Sequence, residues 1–262
     1  MAFYGESFTY NGISSETFGL KIFTPDSNEK TTILNLKSNT TKVPRQSKFT
    51  PSRLYVDEPR NIPIALYSEN VLTQTQIDTI SQWLFPADNK YKVMTINQDD
   101  MEDYYFNCRL IELQNETFGN KTQQIHAIMQ CDSIYAWEET QTLTYTNFAN
   151  PITFVNTSSE DTMKPIYKFK CNSSGGTIKL VDDFYSTDIE NTMEFTGLFN
   201  NEIITIDTEH CIISSTSRTV GLLNLFTYPR FLRLKRGTHH FTITGNISQF
   251  QLIYQNARVI GG

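Results

Sequence analysis

The chain lacks the marks of most chemistries. Basic residues are too few for a nucleic-acid partner: 22 Lys and Arg stand against 28 Asp and Glu, a net charge of −6 over 262 residues, whereas a phosphate backbone calls for a basic excess or stripe. The one mildly basic stretch (Lys37, Lys42, Arg45, Lys48, Arg53, Arg60) is interrupted by Asp57 and Glu58 and has no helical period. It reads as a solvated loop or a protein interface, and no sequence-specific nucleic acid is expected. No run of apolar residues is long enough for a membrane-spanning helix, so no membrane partner is expected. Residues 1–10 carry neither a basic n-region nor an apolar run, so no secretion signal is expected. Cysteine is scarce. Cys108, Cys131, Cys171 and Cys211 form no CxxC pair and are expected to be reduced, small core residues.

Catalytic signatures are missing too. There is no GxGxxG after a strand, no GxxxxGK[ST], no HExxH and no GxSxG. Four His remain. His239 and His240 are adjacent, and neighbouring side chains on a strand point to opposite faces, so the pair is not expected to share a metal ion. The same divergence separates His210 from Cys211, which is expected to open an apolar core strand. Asp99, Asp100, Glu102 and Asp103 form an acidic cluster without the sharp-turn glycine or following ligands of a Ca²⁺ loop; they read as a solvated turn, as does the weaker Asp182-Asp183 pair. No enzyme activity, cofactor or metal is expected.

What is present favours sheet. Aromatic residues make up 13 % of the chain, with 18 Phe and 13 Tyr, and Thr and Asn are plentiful; aromatic and β-branched side chains fit a pleated, half-buried surface. The length suits two domains. One helix is expected at 73–85, TQTQIDTISQWLF: Thr73 as N-cap and Gln76 at N3 form a capping box, and Leu72 with Ile77 a hydrophobic staple. Ile77, Ile80 and Leu84 make an apolar stripe that Trp83 joins as a packing residue, and Pro86 ends the helix. Strands are expected at 18–23, 62–67, 91–96, 104–113 and 124–135, the last two joined by a turn holding Gly119-Asn120. Pro63 suits an edge or a strand start. Residues 44–59 form an extended arm or long hairpin, and a connection this long in a compact domain is usually functional or disordered.

A polar, Thr-rich linker is placed at 141–150, between an N-terminal β domain at 1–140 and a β-sandwich at 151–262. In the second half, short alternating segments separated by turn residues, among them 165–171, 177–181, 220–226 and 240–244, need no second helix. The fold class is mainly β with one α-helix: a barrel- or sandwich-like N-terminal domain followed by the sandwich.

The order of features resembles one family. Asn11-Gly12-Ile13 and Phe18-Gly19-Leu20 precede the long arm; a capped helix ending in Trp83-Leu84 follows, then the hairpin ending at Ile134-Tyr135-Ala136. Phe154-Val155-Asn156, Lys164-Pro165, Ile204-Thr205-Ile206-Asp207 and Phe231-Leu232 mark the last half. This resembles the distal tail proteins of long-tailed phages of Gram-positive bacteria. One departure is Asn156-Thr157-Ser158-Ser159-Glu160-Asp161, where the family has an Asn-x-Gly-Asp turn.

The resemblance implies a virion structural protein at the tail tip, with a galectin-like C-terminal sandwich and a homohexameric ring built by the N-terminal domains. Its implied partners are the major tail tube protein on one face, the tail-associated lysin or baseplate hub on the other, and a receptor-binding protein in some relatives. Assembly would take place in the host cytoplasm. A closing head-to-tail interface needs aromatic and Arg anchors, and Arg45, Phe49, Arg53 and Tyr55 of the arm are the candidates, ordering against a neighbouring subunit. The alternative is a carbohydrate- or receptor-binding module in the sandwich, drawing on Asn172, Asn191, Asn224, Arg230, Arg233 and Arg236.

Overall fold

The computed structural model describes residues 6–23, 36–42, 49–56, 59–119, 121–146, 148, 151–184, 191–227 and 231–260. The chain divides into two compact units: Met1–Glu138 with Val259–Gly262, and Glu139–Arg258.

The first unit contains β1 (Ser7–Tyr10), β2 (Ile13–Ser14), β3 (Leu20–Phe23), β4 (Leu36–Lys42), β5 (Phe49–Val56), β6 (Asn61–Leu72), helix α1 (Gln74–Leu84), β7 (Lys92–Asn97), β8 (Tyr104–Phe118), β9 (Lys121–Cys131) and β10 (Ala136–Glu138). Its main sheet runs β2-β1-β7-β8-β9-β6-β3, with β10 beside β8. Among the described strands the order ends at β2 and β3 and the barrel that the sequence pattern allowed does not close, although the Ile22 N–H of β3 donates to the Glu6 carbonyl just before β1. Asn11 and Gly12 join β1 to β2 with φ of 52° and 77°, the left-handed pair that a two-residue hairpin turn demands.

Helix α1 begins as its sequence requires. The Gln76 N–H donates to Thr73 Oγ1 and the Thr73 N–H to Gln76 Oε1, closing the capping box. Ile80, Trp83 and Leu84 are buried. Trp83 packs its ring against Phe8 and Phe18, with centroids at 5.4 and 4.7 Å, and donates its Nε1–H to the Tyr10 carbonyl at 3.0 Å. The tryptophan therefore fastens helix to sheet.

Pro63 sits inside β6, yet takes no bond from the β9 ladder. The Cys131 N–H donates to the Arg60 carbonyl, so even-numbered residues of β6 turn their backbone groups towards β9 and Pro63 turns away, towards β3. Among the described residues the β3 pairing reaches only Ala65, so the missing N–H interrupts no described ladder bond.

The second unit contains β11 (Gln141–Tyr145), β12 (Ile152–Asn156), β13 (Thr162–Met163), β14 (Ile166–Cys171), β15 (Gly176–Asp182), β16 (Thr192–Leu198), β17 (Ile203–Asp207), β18 (Ile212–Ser215), β19 (Leu234–Lys235), β20 (Gly237–Gly245) and β21 (Ile247–Tyr254). Sheets β11-β21-β14-β17-β18 and β12-β20-β15-β16 share one core. Phe169 and Phe250 from the first meet Phe195 and Phe241 from the second at 6.2 and 6.3 Å, which makes the unit a β-sandwich. At the β20–β21 turn, Gly245 has φ of 104°, and a Cβ there would lie 2.1 Å from the Thr177 carbonyl oxygen.

Three expectations are corrected here. Residues 141–145, read as part of a linker, are strand β11, paired along β21 from Gln141↔Tyr254 to Tyr145↔Phe250; exposed threonines disguised an edge strand. The segment 220–226, read as a strand, carries a short 3-10 turn at Leu222–Leu225 behind Gly221 at φ 72°. Cys211, read as core, is exposed in a left-handed turn at φ 55°, while the other three cysteines are buried.

Candidate assembly surfaces

The residues singled out for an interface fall on an excursion of the chain. Strands β3 and β6 are antiparallel neighbours, Leu20↔Ser68 to Phe23↔Ala65; a tight turn could join such a pair, yet residues 24–60 intervene. Within them β4 and β5 form a separate two-stranded sheet, paired from Leu36↔Val56 to Lys42↔Phe49. Among the described strands it pairs with nothing else. An isolated two-stranded hairpin is marginal in water and gains independent stability only by packing against something.

Arg45 lies outside the described residues. Phe49, Arg53 and Tyr55 lie on β5 opposite Lys42, Asn39 and Lys37. The register shifts between Asn39 and Thr40, which face Arg53 and Pro51, so Ser52 is an extra residue. That bulge puts Phe49 on one side of an interruption and Arg53 with Tyr55 on the other, so the three do not share one uninterrupted two-residue period.

A second surface was not read from the sequence. The core face of the main sheet carries Met94, Phe106, Cys108, Met129 and Ile64. By register the opposite face carries Val93 beside Asn107, Arg109 opposite Gln130, Ile128 opposite Pro63, and Phe23 opposite Ala65. Val93 and Phe23 are 49 % and 45 % exposed. The Arg109 guanidinium lies 5.1 Å from the Tyr91 ring centroid and donates twice to Gln130 Oε1. A solvated sheet face is normally polar; this one mixes aliphatic, aromatic and Arg side chains, the composition of an interface. Its sequence signal was the presence of large residues at both parities of β7 and β8.

The acidic cluster is a turn. Met101 is buried beneath it, and Asp100 Oδ1 accepts from Gln98 Nε2 at 2.5 Å. Among the described residues no three His, Cys, Asp or Glu side chains converge to hold a metal. His239 is buried, with Nδ1 2.7 Å from Asp182 Oδ2 and Nε2 2.8 Å from the Lys235 carbonyl oxygen, whereas His240 Nδ1 lies 3.1 Å from Thr153 Oγ1.

Three of the residues considered for sugar binding have partners or burial of their own. Asn172 Nδ2 donates to the Ile247 carbonyl, Asn191 is buried, Arg236 donates to the Ser158 and Ser159 carbonyls, and Arg230 lies outside the described residues.

Instead the sandwich holds a buried ion pair. The Glu202 side chain is fully buried; its Oε1 accepts from Arg218 Nε at 2.8 Å and Ser215 Oγ at 2.6 Å, and its Oε2 from Arg218 Nη2 at 2.8 Å and the Phe199 N–H at 2.7 Å. Arg218 also stacks 4.1 Å from the Phe199 ring centroid. This anchors the base of a loop exposing Val220 at 81 % and Leu223 at 65 %.

Comparison with known proteins agrees with this architecture. Dit of phage SPP1, whose crystal structure is described as a paradigm of the hub adsorption apparatus in phages infecting Gram-positive bacteria, matches with a TM-score of 0.73 at 11 % identity, over 96 % of this chain and 98 % of its own. A chain of the phage p2 baseplate, in its activated conformation with Sr, matches with a TM-score of 0.50 at 10 % identity, over 97 % of this chain and 99 % of its own. No curated protein sequence matches. The mainly β fold with one helix and the resemblance to a phage distal tail protein are thus borne out. Two family models, described as the phage tail protein N-terminal domain and the phage tail C-terminal domain, match residues 3–133 and 135–254, and the chain belongs to this family of phage tail proteins.

Proposed function

We propose that the protein is the structural hub of a phage tail tip: a homohexameric ring that joins the tail tube to the tail-associated lysin and host-attachment apparatus. Its partners are then further copies of itself, the major tail tube protein, the baseplate hub or lysin, and a receptor-binding protein, and the subunits fold in the host cytoplasm before joining the virion. The observation that carries this is the fold match to the SPP1 hub protein over nearly the whole of both chains. The mixed outer sheet face and the β4–β5 hairpin, which pairs with no other described strand, add a physical reason to assemble: each is stabilised by burial against another surface. The hairpin, with Arg45, Phe49, Arg53 and Tyr55, reaches the neighbouring subunit in this arrangement, and the sandwich, galectin-like in type, serves as a protein-docking platform.

Light scattering on the purified protein over a wide concentration range tests the ring. The expected mass is six times the 30.2 kDa protomer, and a protomer mass at every concentration, with or without tail-tube protein, speaks against it. Replacing residues 36–56 with a short Gly-Ser turn should leave the first unit folded, because Leu36 and Val56 are already cross-strand partners. The hexamer should be lost, leaving protomer alone; hexamers that survive this replacement remove the hairpin from the interface.

A further inference from the structure

Three of the four cysteines are buried, and two of them meet. Cys108 on β8 and Cys131 on β9 are direct cross-strand partners, with Sγ atoms 3.1 Å apart. The hydrogen-bond pattern identifies the kind of pair. The Asp132 N–H donates to the Asn107 carbonyl at 2.9 Å, while the Cys131 N–H turns to the other flank and donates to the Arg60 carbonyl at 2.8 Å. Positions 107 and 132 are therefore the hydrogen-bonded pair, and 108 and 131 the non-hydrogen-bonded pair beside it. At such pairs antiparallel strands bring their side chains closest, with Cα atoms about 4.5 Å apart, inside the span of about 4.4–6.8 Å that a disulfide bridges.

We propose that Cys108 and Cys131 are the site of a cross-strand disulfide, formed on exposure to a disulfide oxidant, that locks the long β8–β9 hairpin of the first unit. Neither of the other thiols competes. Cys171 Sγ lies in the second unit, 3.1 Å from the Ser173 carbonyl oxygen, and Cys211 is an exposed turn residue of that unit. The inference needs only the first unit and is independent of the ring.

With oxidised glutathione as oxidant, the chemistry balances. One cysteine loses its proton and its thiolate attacks a glutathione sulfur, breaking that S–S bond and expelling one glutathione thiolate. The second cysteine loses its proton and attacks the protein sulfur of the mixed disulfide, expelling the other glutathione thiolate. The two protons end on the two glutathiones; the protein is oxidised by two electrons and the glutathione reduced by two. The contact with Cys131, followed by burial, holds the Cys108 thiol above the ordinary thiol range, so Cys108 rests as a thiol and the pair reacts when the hairpin opens locally. Once closed, the bond joins strands that already pair, and it restricts the unfolded chain between the two residues.

The test uses the full chain with Cys211→Ser, which removes the exposed thiol. The protein is held with excess oxidised glutathione a few degrees below its reduced melting midpoint, then denatured, alkylated and weighed intact. Alkylatable thiols should fall from three to one, peptide mapping should find Cys108 linked to Cys131, and the melting midpoint should rise by about 5–10 °C and return with dithiothreitol. Three thiols still open to alkylation, a glutathione adduct that persists, or a link through Cys171 would each overturn the proposal. Cys108→Ala serves as control and should show no midpoint shift; because mapping is done on the chain with both cysteines intact, the test stands even where that variant folds poorly.

Discussion

Glu202→Ala should cost the second unit about 3 kcal/mol, the lower end of what breaking a buried ion pair costs. The carboxylate accepts four hydrogen bonds from three residues, and they come from both sides of β17: Phe199 before it, Ser215 at the end of β18 and Arg218 beyond it. Alanine leaves the Phe199 N–H, the Ser215 hydroxyl and part of the guanidinium without their acceptor. The figure is held to the lower end because Arg218 keeps its stacking on Phe199 and its bond to the Gly197 carbonyl, and its side chain is 20 % exposed, so water reaches part of it. Glu202→Gln should also destabilise, since an amide NH₂ is forced against one of these donors.

The two units can be followed separately. Both tryptophans, Trp83 and Trp137, lie in the first unit. Denaturation followed by hydrogen exchange in β17 and β18 should show the loss, while the transition followed by tryptophan fluorescence stays in place. A loss below about 1 kcal/mol would mean that the pair is worth no more than a surface ion pair. The pH dependence supplies an internal check. Burial alone raises the Glu202 carboxyl pKa, but the bonds from Arg218, Phe199 and Ser215 outweigh it and leave it below its ordinary 4.5. The contribution is then complete above that ordinary value and is lost as pH falls through the depressed one, so wild type and Glu202→Ala should converge in acid.

How much was legible beforehand follows from the range of each interaction. The α1 capping box lies within four consecutive residues, and period-two alternation in β9, β14 and β15 lies within single strands; both were readable because the chain supplies all the partners locally. Strand β8 proved longer than the apolar pattern indicated, and β9 begins and ends earlier, at Lys121 and Cys131. Their polar ends, through Asn115↔Ile125 to Phe118↔Lys121, are held by backbone pairing around Gly119, which hydrophobicity does not report. The outer sheet face appears only when register sets Ile128 between Glu112 and Pro63. Glu202 and Arg218 are sixteen residues apart in sequence, and Asp182 and His239 fifty-seven; no periodicity links such partners. Asp182 was therefore read as half of a solvated acidic pair. The interface residues of the arm were chosen for their chemistry alone, and the bulge at Ser52 divides them in a way that only register discloses.

Asp182→Asn should destabilise the second unit by about 3 kcal/mol at about pH 6, where it removes the counter-charge of a buried cation, and by less at higher pH. Both ring nitrogens of His239 face oxygen atoms, Nδ1 Asp182 Oδ2 and Nε2 the Lys235 carbonyl, an arrangement that favours the imidazolium, which donates from both. Its ring is stacked on Phe184 at 4.5 Å and is closed off from solvent. Burial by itself lowers the imidazole pKa; the bonds to Asp182 and Lys235 and the charges of Asp182 and Asp183 outweigh it and hold the group above its ordinary 6.5. The folded state therefore keeps a proton that the unfolded state releases, and the slope of stability against pH is negative. The contribution is complete below the ordinary value and disappears as pH rises through the raised one. In wild type the melting midpoint of the second unit should fall as pH rises above the ordinary 6.5 of the imidazole, and in Asp182→Asn that fall should flatten. The exposed pair of His210 and Asp207, whose imidazole is raised by its bond to Asp207, acts in the same direction, so the comparison belongs in a His210→Gln background. A slope that persists there in Asp182→Asn would assign the titration to another group and leave the buried pair without a pH-dependent role.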